Sequence, residues 1–147
     1  MRDPADIDIT TLVPHQGAMC LWQRVLGFDD KHVRVASLSH RDPHHPLRSV
    51  DALNAVHLCE YGAQAMAVHG GLLAQDGGTP RRGFLVALRG VKLHVARIDT
   101  LPGELIGHAE LLMANESSQQ YQFRITHADE LIAEGRAAVM LDHRDAQ

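Results

Sequence analysis

The sequence contains no run of basic residues: 14 Lys and Arg stand against 18 Asp and Glu, a formal net charge of −4, and Arg81-Arg82 is the only basic doublet. Phosphate backbones are bound by clustered cations, so nucleic acid is excluded as the main partner. The doublet could still meet an acidic protein or a phosphate locally. Cysteine is scarce as well. Cys20 and Cys59 sit in apolar contexts without CxxC spacing, which reads as buried free thiols in a reducing compartment. The N-terminal MRDPADID is acidic and has no hydrophobic segment, so neither a signal peptide nor a transmembrane span is expected there. The expectation is a soluble, cytoplasmic protein with no membrane partner. There is no internal repeat and no low-complexity segment. At 147 residues the chain suits one domain that buries about two-thirds of its unfolded surface.

What the chain does have is one apolar, helix-forming run, Asn54 to His69, NAVHLCEYGAQAMAVH. Its Ala, Val, Leu, Cys and Met residues fall on every side of a helical wheel, the pattern of a helix surrounded by protein. Asn54 or Asp51 can cap the start and Gly70-Gly71 supply a stop. The polar residues His57, Glu60 and Gln64 are spaced three and four apart and so form one stripe. A carboxyl in greasy surroundings loses hydration, which favours the protonated form that a general acid needs. Glu60 is therefore either a site acid or a structural Glu satisfied by His57 or a backbone donor.

Around this helix the rest of the chain reads mostly as strands. Ile9 to Val13 predicts a helical turn that stops before Pro14. Met19 to Phe28 predicts a strand, Asp29-Asp30 a hairpin tip, and Lys31 to Leu38 the return strand, with Val33 and Val35 opposite His32 and Arg34. Ser39 to Asp51 holds two prolines and no periodicity and reads as a loop that carries His40, His44 and His45. Gln75 to Arg82 is a second connector. Four strands follow: GFLVALRGVKLHV, ELIGHAELLMA, QQYQFRITH and ELIAEGRAAVML, with Tyr121, Phe123 and Ile125 alternating against Gln122 and Arg124. Turns are marked at Leu101-Pro102-Gly103, Asn115-Glu116-Ser117 and Ala128-Asp129. A lone buried helix needs a sheet to wrap it. The reading is an α+β hot-dog fold, a curved antiparallel sheet of about six strands around one long central helix.

Four pieces in this order resemble the hot-dog 3-hydroxyacyl-acyl-carrier-protein dehydratases. They are Leu12-Val13-Pro14-His15 through Trp22-Gln23-Arg24-Val25, the loop His45-Pro46-Leu47, the Glu-x-x-x-Gln signature at Glu60 and Gln64, and Val91 to Leu112. Having His-Pro-Leu in place of the usual His-Phe-Pro-Gly is similar to a divergent branch associated with aryl-polyene and related lipid pathways. The resemblance implies a lyase acting on an acyl carrier protein thioester, without a cofactor, with His45 as general base and Glu60 as general acid. His44-His45-Pro46 also fits the ordinary His-x-Pro pattern, so His44 is a second assignment for the base.

The implied reaction is β-elimination of water. A neutral His can take the α-proton, and Glu60 can deliver the proton that turns hydroxide into water. Backbone N–H groups at the helix start, Asn54-Ala55-Val56, are candidates to hold the thioester oxygen, and Gln64 to orient a group near Glu60. The resemblance also implies a homodimer, or a heterodimer with a related hot-dog chain, because base and acid reach one pocket from two subunits. A metal is not expected, since His40, His44 and His45 match no zinc spacing and no Cys joins them. His57 reads as a core histidine or a catalytic group, His15 as a pin for the N-terminal segment, and His94 and His108 as outward-facing. Two other functions stay open: a thioesterase using Glu60 to activate water, and a non-catalytic partner subunit.

Overall fold

The computed structural model describes residues 3–14, 17–75 and 83–141. His15, the connector at 76–82 and Arg81-Arg82 lie outside the described residues. Two short strands come first, β1 (Arg24–Phe28) and β2 (His32–Ser37). A turn of 3-10 helix at Ala55–His57 leads into the helix α1 (Leu58–Gln75), and four strands follow: β3 (Gly83–Leu93), β4 (Leu105–Ala114), β5 (Ser118–His127) and β6 (Glu130–Leu141). They form one antiparallel sheet in the order β1-β2-β4-β5-β6-β3. This is the expected hot-dog arrangement of six strands with one long helix on their inner face.

The local signals act as expected in most places. Asp29 Oδ1 accepts from the backbone of Lys31 and His32 at the first hairpin tip, and Asn115 Oδ1 does the same for Ser117 and Ser118. Ala128 and Asp129 take left-handed φ values of 49° and 66°, the geometry a two-residue antiparallel turn requires. Alternation then buries Tyr121, Phe123 and Ile125 against α1, together with Val33 and Val35. Asn54 caps the helix through Oδ1 and the N–H of Val56. Asp51 has no part in the cap; it lies in a left-handed turn held by Ser49 and Ala52.

Two expectations are corrected. The helix does not stop at Gly70-Gly71 but runs on to Gln75. Gly71 is there for close packing: a Cβ on it would lie 2.6 Å from the Leu12 carbonyl oxygen. The first strand begins at Arg24 and not at Met19, because the Leu21 N–H and C=O and the Met19 carbonyl bond to side chains of Gln64, Ser37 and Ser39 and not to a neighbouring strand. Of the last four strands, β4, β5 and β6 pair in sequence order, while β3 crosses to the far edge and pairs with β6.

Among the described residues the helix is not covered all round. Leu58, Tyr61, Ala65, Val68 and Leu72 are buried, whereas Cys59, Glu60, Ala63, Ala67 and Gly70 are half-exposed and Val56 is exposed. The edge strand β3 is almost wholly exposed as well, including Phe84, Leu85, Val86, Leu88, Val91 and Leu93. The opposite flank is closed. There His69 is fully buried and ties α1 to the sheet and to the first hairpin: Nε2 donates to the Asp29 carbonyl at 3.0 Å, so Nδ1 accepts from the Tyr121 hydroxyl at 2.7 Å.

Helix and sheet approach most closely at Gly62, where a Cβ would lie 2.5 Å from the ring of fully buried Phe123. Gly62→Ala is expected to lower stability by about 1–3 kcal/mol through overpacking. Urea unfolding checks this: the midpoint should fall with an unchanged m-value, and an unaltered midpoint would mean that Phe123 can move aside freely.

Candidate active site

The loop between β2 and the helix is stiffened by its own polar groups. Asp42 receives the N–H of His44 on Oδ1 and the N–H of His45 on its carbonyl, and Arg48 Nε donates to that same carbonyl. The two neighbouring histidines therefore separate. His44 is exposed, while His45 is turned inward and 5% exposed. Its Nε2 lies 3.1 Å from the Tyr61 hydroxyl on α1, and its Nδ1 accepts the N–H of Leu47 at 3.1 Å. Burial lowers the pKa of His45 from its ordinary value; Asp42 opposes this, and His57, Arg48 and His40 add to it. The imidazole is thus held in its neutral form at neutral pH.

Glu60 lies one residue before Tyr61 and is half-buried. It accepts from Gln64 Nε2 at 3.0 Å, one helical turn later. Gln64 is almost fully buried, and its amide is committed on both sides: Nε2 also donates to the Met19 carbonyl at 2.8 Å, and Oε1 accepts the N–H of Leu21 at 2.9 Å. The expected pairing of Glu60 with Gln64 is present. His57 is half-buried in the preceding turn and not in the core.

Leu21 joins the two halves of this site. Its N–H is held by Gln64, the partner of Glu60. Its carbonyl accepts from Ser37 Oγ at 2.6 Å and Ser39 Oγ at 2.7 Å, and Ser39 Oγ lies 2.7 Å from the Tyr61 hydroxyl beside His45. Trp22 adds a further tie, since its indole N–H donates to the Tyr61 carbonyl at 2.7 Å. A cleft of about 400 Å³ opens beside this cluster, lined among others by Cys20, Ser39, Arg41, Asp42, His45 and Pro46. Tyr61, Ser39 and the Leu21 peptide are absent from the sequence-level candidates. A buried tyrosine needs a partner for its hydroxyl, but the sequence does not say which.

The helix start differs from expectation. The N–H of Ala55 donates to the Ala96 carbonyl at 3.0 Å, and that of Val56 donates to its own cap, Asn54, at 2.8 Å. Neither is free for a thioester oxygen. The physical reason is the segment after β3, which straps the helix entry. Leu53 donates to Asp99 Oδ1 at 3.0 Å, Ile98 donates back to Leu53, and Arg97 holds the Asp99 carboxylate. The Arg97 guanidinium keeps the Asp99 carboxyl well below the usual carboxylate range. His94 and His108 face outward on the sheet, near Glu134 and stacked on His32 respectively.

A sequence model for ApeP-like proteins, described as ApeP dehydratase, matches residues 7–147. The chain belongs to the ApeP-like dehydratase family. No curated protein matches it in sequence. Among solved structures, this ApeP-like chain is similar to the dehydratase heterocomplex ApeI:P from Xenorhabdus doucetiae, with a TM-score of 0.82 and 22% identity over 94% of this chain and 93% of that one. A thioesterase from Haemophilus influenzae shares the fold more distantly, with a TM-score of 0.60 and 11% identity over 82% and 81% of the two chains. A thioesterase family protein from Silicibacter pomeroyi is comparable, at 0.61 and 12% over 80% and 82%. No helix of the described residues is long and apolar enough to cross a membrane.

Burial lowers the pKa of His40, His45 and His69 alike. On unfolding each returns to about 6.5. Just below that pH the unfolded chain binds more protons, so stability falls as pH drops and is fully present above it. The urea midpoint is expected to be lower at pH 5.5 than at pH 7.5; equal midpoints would show that these imidazoles titrate normally in the folded protein.

Proposed function

We propose that this ApeP-like protein dehydrates a 3-hydroxyacyl thioester carried on an acyl carrier protein to the trans-2-enoyl thioester. One observation carries this reading: Glu60 and His45 are bonded to opposite ends of the same Leu21 peptide, Glu60 through Gln64 and His45 through Tyr61 and Ser39. Each chain therefore fixes a carboxyl and a neutral imidazole, the latter lining the cleft, and in the complex described below groups from two chains complete one site for acid and base catalysis. His45 removes the α-proton, the β-carbon to oxygen bond breaks, and Glu60 supplies the proton that leaves with the hydroxyl as water. His45 is preferred to His44 as the base because burial and the Tyr61 bond hold it in place, whereas His44 faces solvent.

The protein works in a complex with a second hot-dog chain. Glu60 belongs to the half-exposed side of α1, and the edge strand β3 exposes Phe84, Leu85, Val86, Leu88, Val91 and Leu93. Apolar edge strands seek a partner, and a chain that also covers the half-exposed side of α1 would exclude water from Glu60. The heterocomplex of the Xenorhabdus relative supports a related chain as the partner, with a second copy of this chain as the other option.

The test is mass spectrometry of a 3-hydroxyacyl-carrier-protein incubated with wild type, Glu60→Gln and His45→Ala, each alone and with its dehydratase partner. Water loss is expected with wild type, and each variant should slow it by about 100-fold or more. Release of free thiol instead would establish a thioesterase. No product from any wild-type preparation would leave the role of a non-catalytic partner subunit.

A further inference from the structure

The hydrogen-bond chain behind His45 can be read for direction as well as for connection, because both of its ends are backbone groups of fixed character. At one end is the Leu21 carbonyl, which can only accept. Ser39 Oγ, 2.7 Å away, must therefore donate to it. Having used its proton, Ser39 can only accept from the Tyr61 hydroxyl at 2.7 Å. Tyr61 in turn has no proton left for His45, so at 3.1 Å its oxygen accepts from Nε2–H. At the other end is the Leu47 N–H, which can only donate, and it points at Nδ1 from 3.1 Å. Reading inward from either end gives the same neutral tautomer, with the proton on Nε2 and the lone pair on Nδ1.

We propose that Tyr61, set by Ser39, is the positioning residue of His45: it fixes the imidazole in the Nε2–H tautomer and makes Nδ1 the nitrogen that takes the substrate proton. This rests on the reading of His45 as the base. The arrangement has the logic of a base oriented by a third group, with a phenol where other sites use a carboxylate. As Nδ1 takes the proton, Nε2–H becomes part of a cation and its bond to Tyr61 strengthens. The Leu47 N–H then meets a second donor and has to turn away, so the turn from His45 to Ser49 is the part of the loop that yields during the reaction.

The surroundings suit Tyr61 to this task. Its ring is fully buried and packs edge-on against Trp22, with centroids 5.3 Å apart and planes at 85°. Burial pushes the phenol up to about 12, so the hydroxyl keeps its proton for Ser39. Ser39 is itself positioned, its N–H bonded to Ser37 Oγ at 2.9 Å. The charged and titratable groups facing His45 are Asp42 and Arg48 of its own loop, His40 after β2, and His57 and Tyr61 on the helix. Among these, Tyr61 is the one bonded to Nε2.

A purely structural chain and a positioning chain predict different results. Tyr61→Phe keeps the ring and deletes only the acceptor at Nε2. In the dehydratase complex, kcat is expected to fall about 10- to 100-fold with KM changed less than about threefold. The acid limb of kcat/KM should move to lower pH by about half a unit or more, because the imidazolium loses its partner. Ser39→Ala should act in the same direction and more weakly. On the acid limb the double variant should match Tyr61→Phe alone, because Ser39 reaches the His45 ring only through Tyr61. Multiplying effects or an unmoved acid limb would overturn the proposal. Nitrogen NMR of histidine-labelled wild type, with His45→Ala for assignment, reads the tautomer without any substrate. A pyrrole-like Nε2 and a pyridine-like Nδ1 at pH 8 are expected, and the reverse would overturn the proposal. If the wild-type complex proves inactive, the functional reading fails while this spectrum still decides the tautomer.

Discussion

The peptide of Leu21 is the constraint on which the site depends. It lies in a stretch that has left the sheet ladder, and it is fully buried, so its N–H and C=O need partners that neither water nor a neighbouring strand supplies. The N–H goes to Gln64 on the helix, and the carbonyl goes to Ser37 and Ser39 at the end of β2. An unmade bond at such a place costs about 1–3 kcal/mol, so helix, strand end and N-terminal segment are fixed together. The positions of Glu60 and His45 follow from this tie, since Glu60 is bonded to Gln64 and His45 reaches Ser39 through Tyr61.

The opposite side of the molecule has the reverse character. Cys59, Ala63, Ala67 and Gly70 leave one side of α1 slim and half-exposed, and the apolar residues of β3 remain in water. A well-tied flank and an uncovered flank meet at Glu60, whose partner Gln64 is buried while it is itself half-exposed. The chain is built to be rigid where the imidazole is held and receptive where the carboxyl is reached.

Much of this architecture was legible because it depends on short-range pattern. The apolar run with a capping Asn54, the alternation through Tyr121, Phe123 and Ile125, and the turn residues at Asp29 and Asn115 each act within a few residues. The Glu60 and Gln64 pair was legible for the same reason, being one helical turn apart. The expectation of free N–H groups at Ala55 and Val56 failed because their acceptors include Ala96, some 40 residues away along the chain. Gly70-Gly71 misled as a stop because the reason for Gly71 is Leu12, far off in sequence and close in space.

By itself, then, the sequence determined the element types, the inner and outer faces of the strands, and which acidic residue would lie on the helix beside its glutamine. These are consequences of periodicity and local hydrogen bonding. Only the tertiary structure decided that His45 and not His44 turns inward, that β3 crosses to the free edge, and that Tyr61 stands between His45 and Ser39. Buried donors and acceptors choose partners by proximity in space, and the sequence order of Leu21, Ser39, His45 and Tyr61 does not encode the angle at which their groups meet.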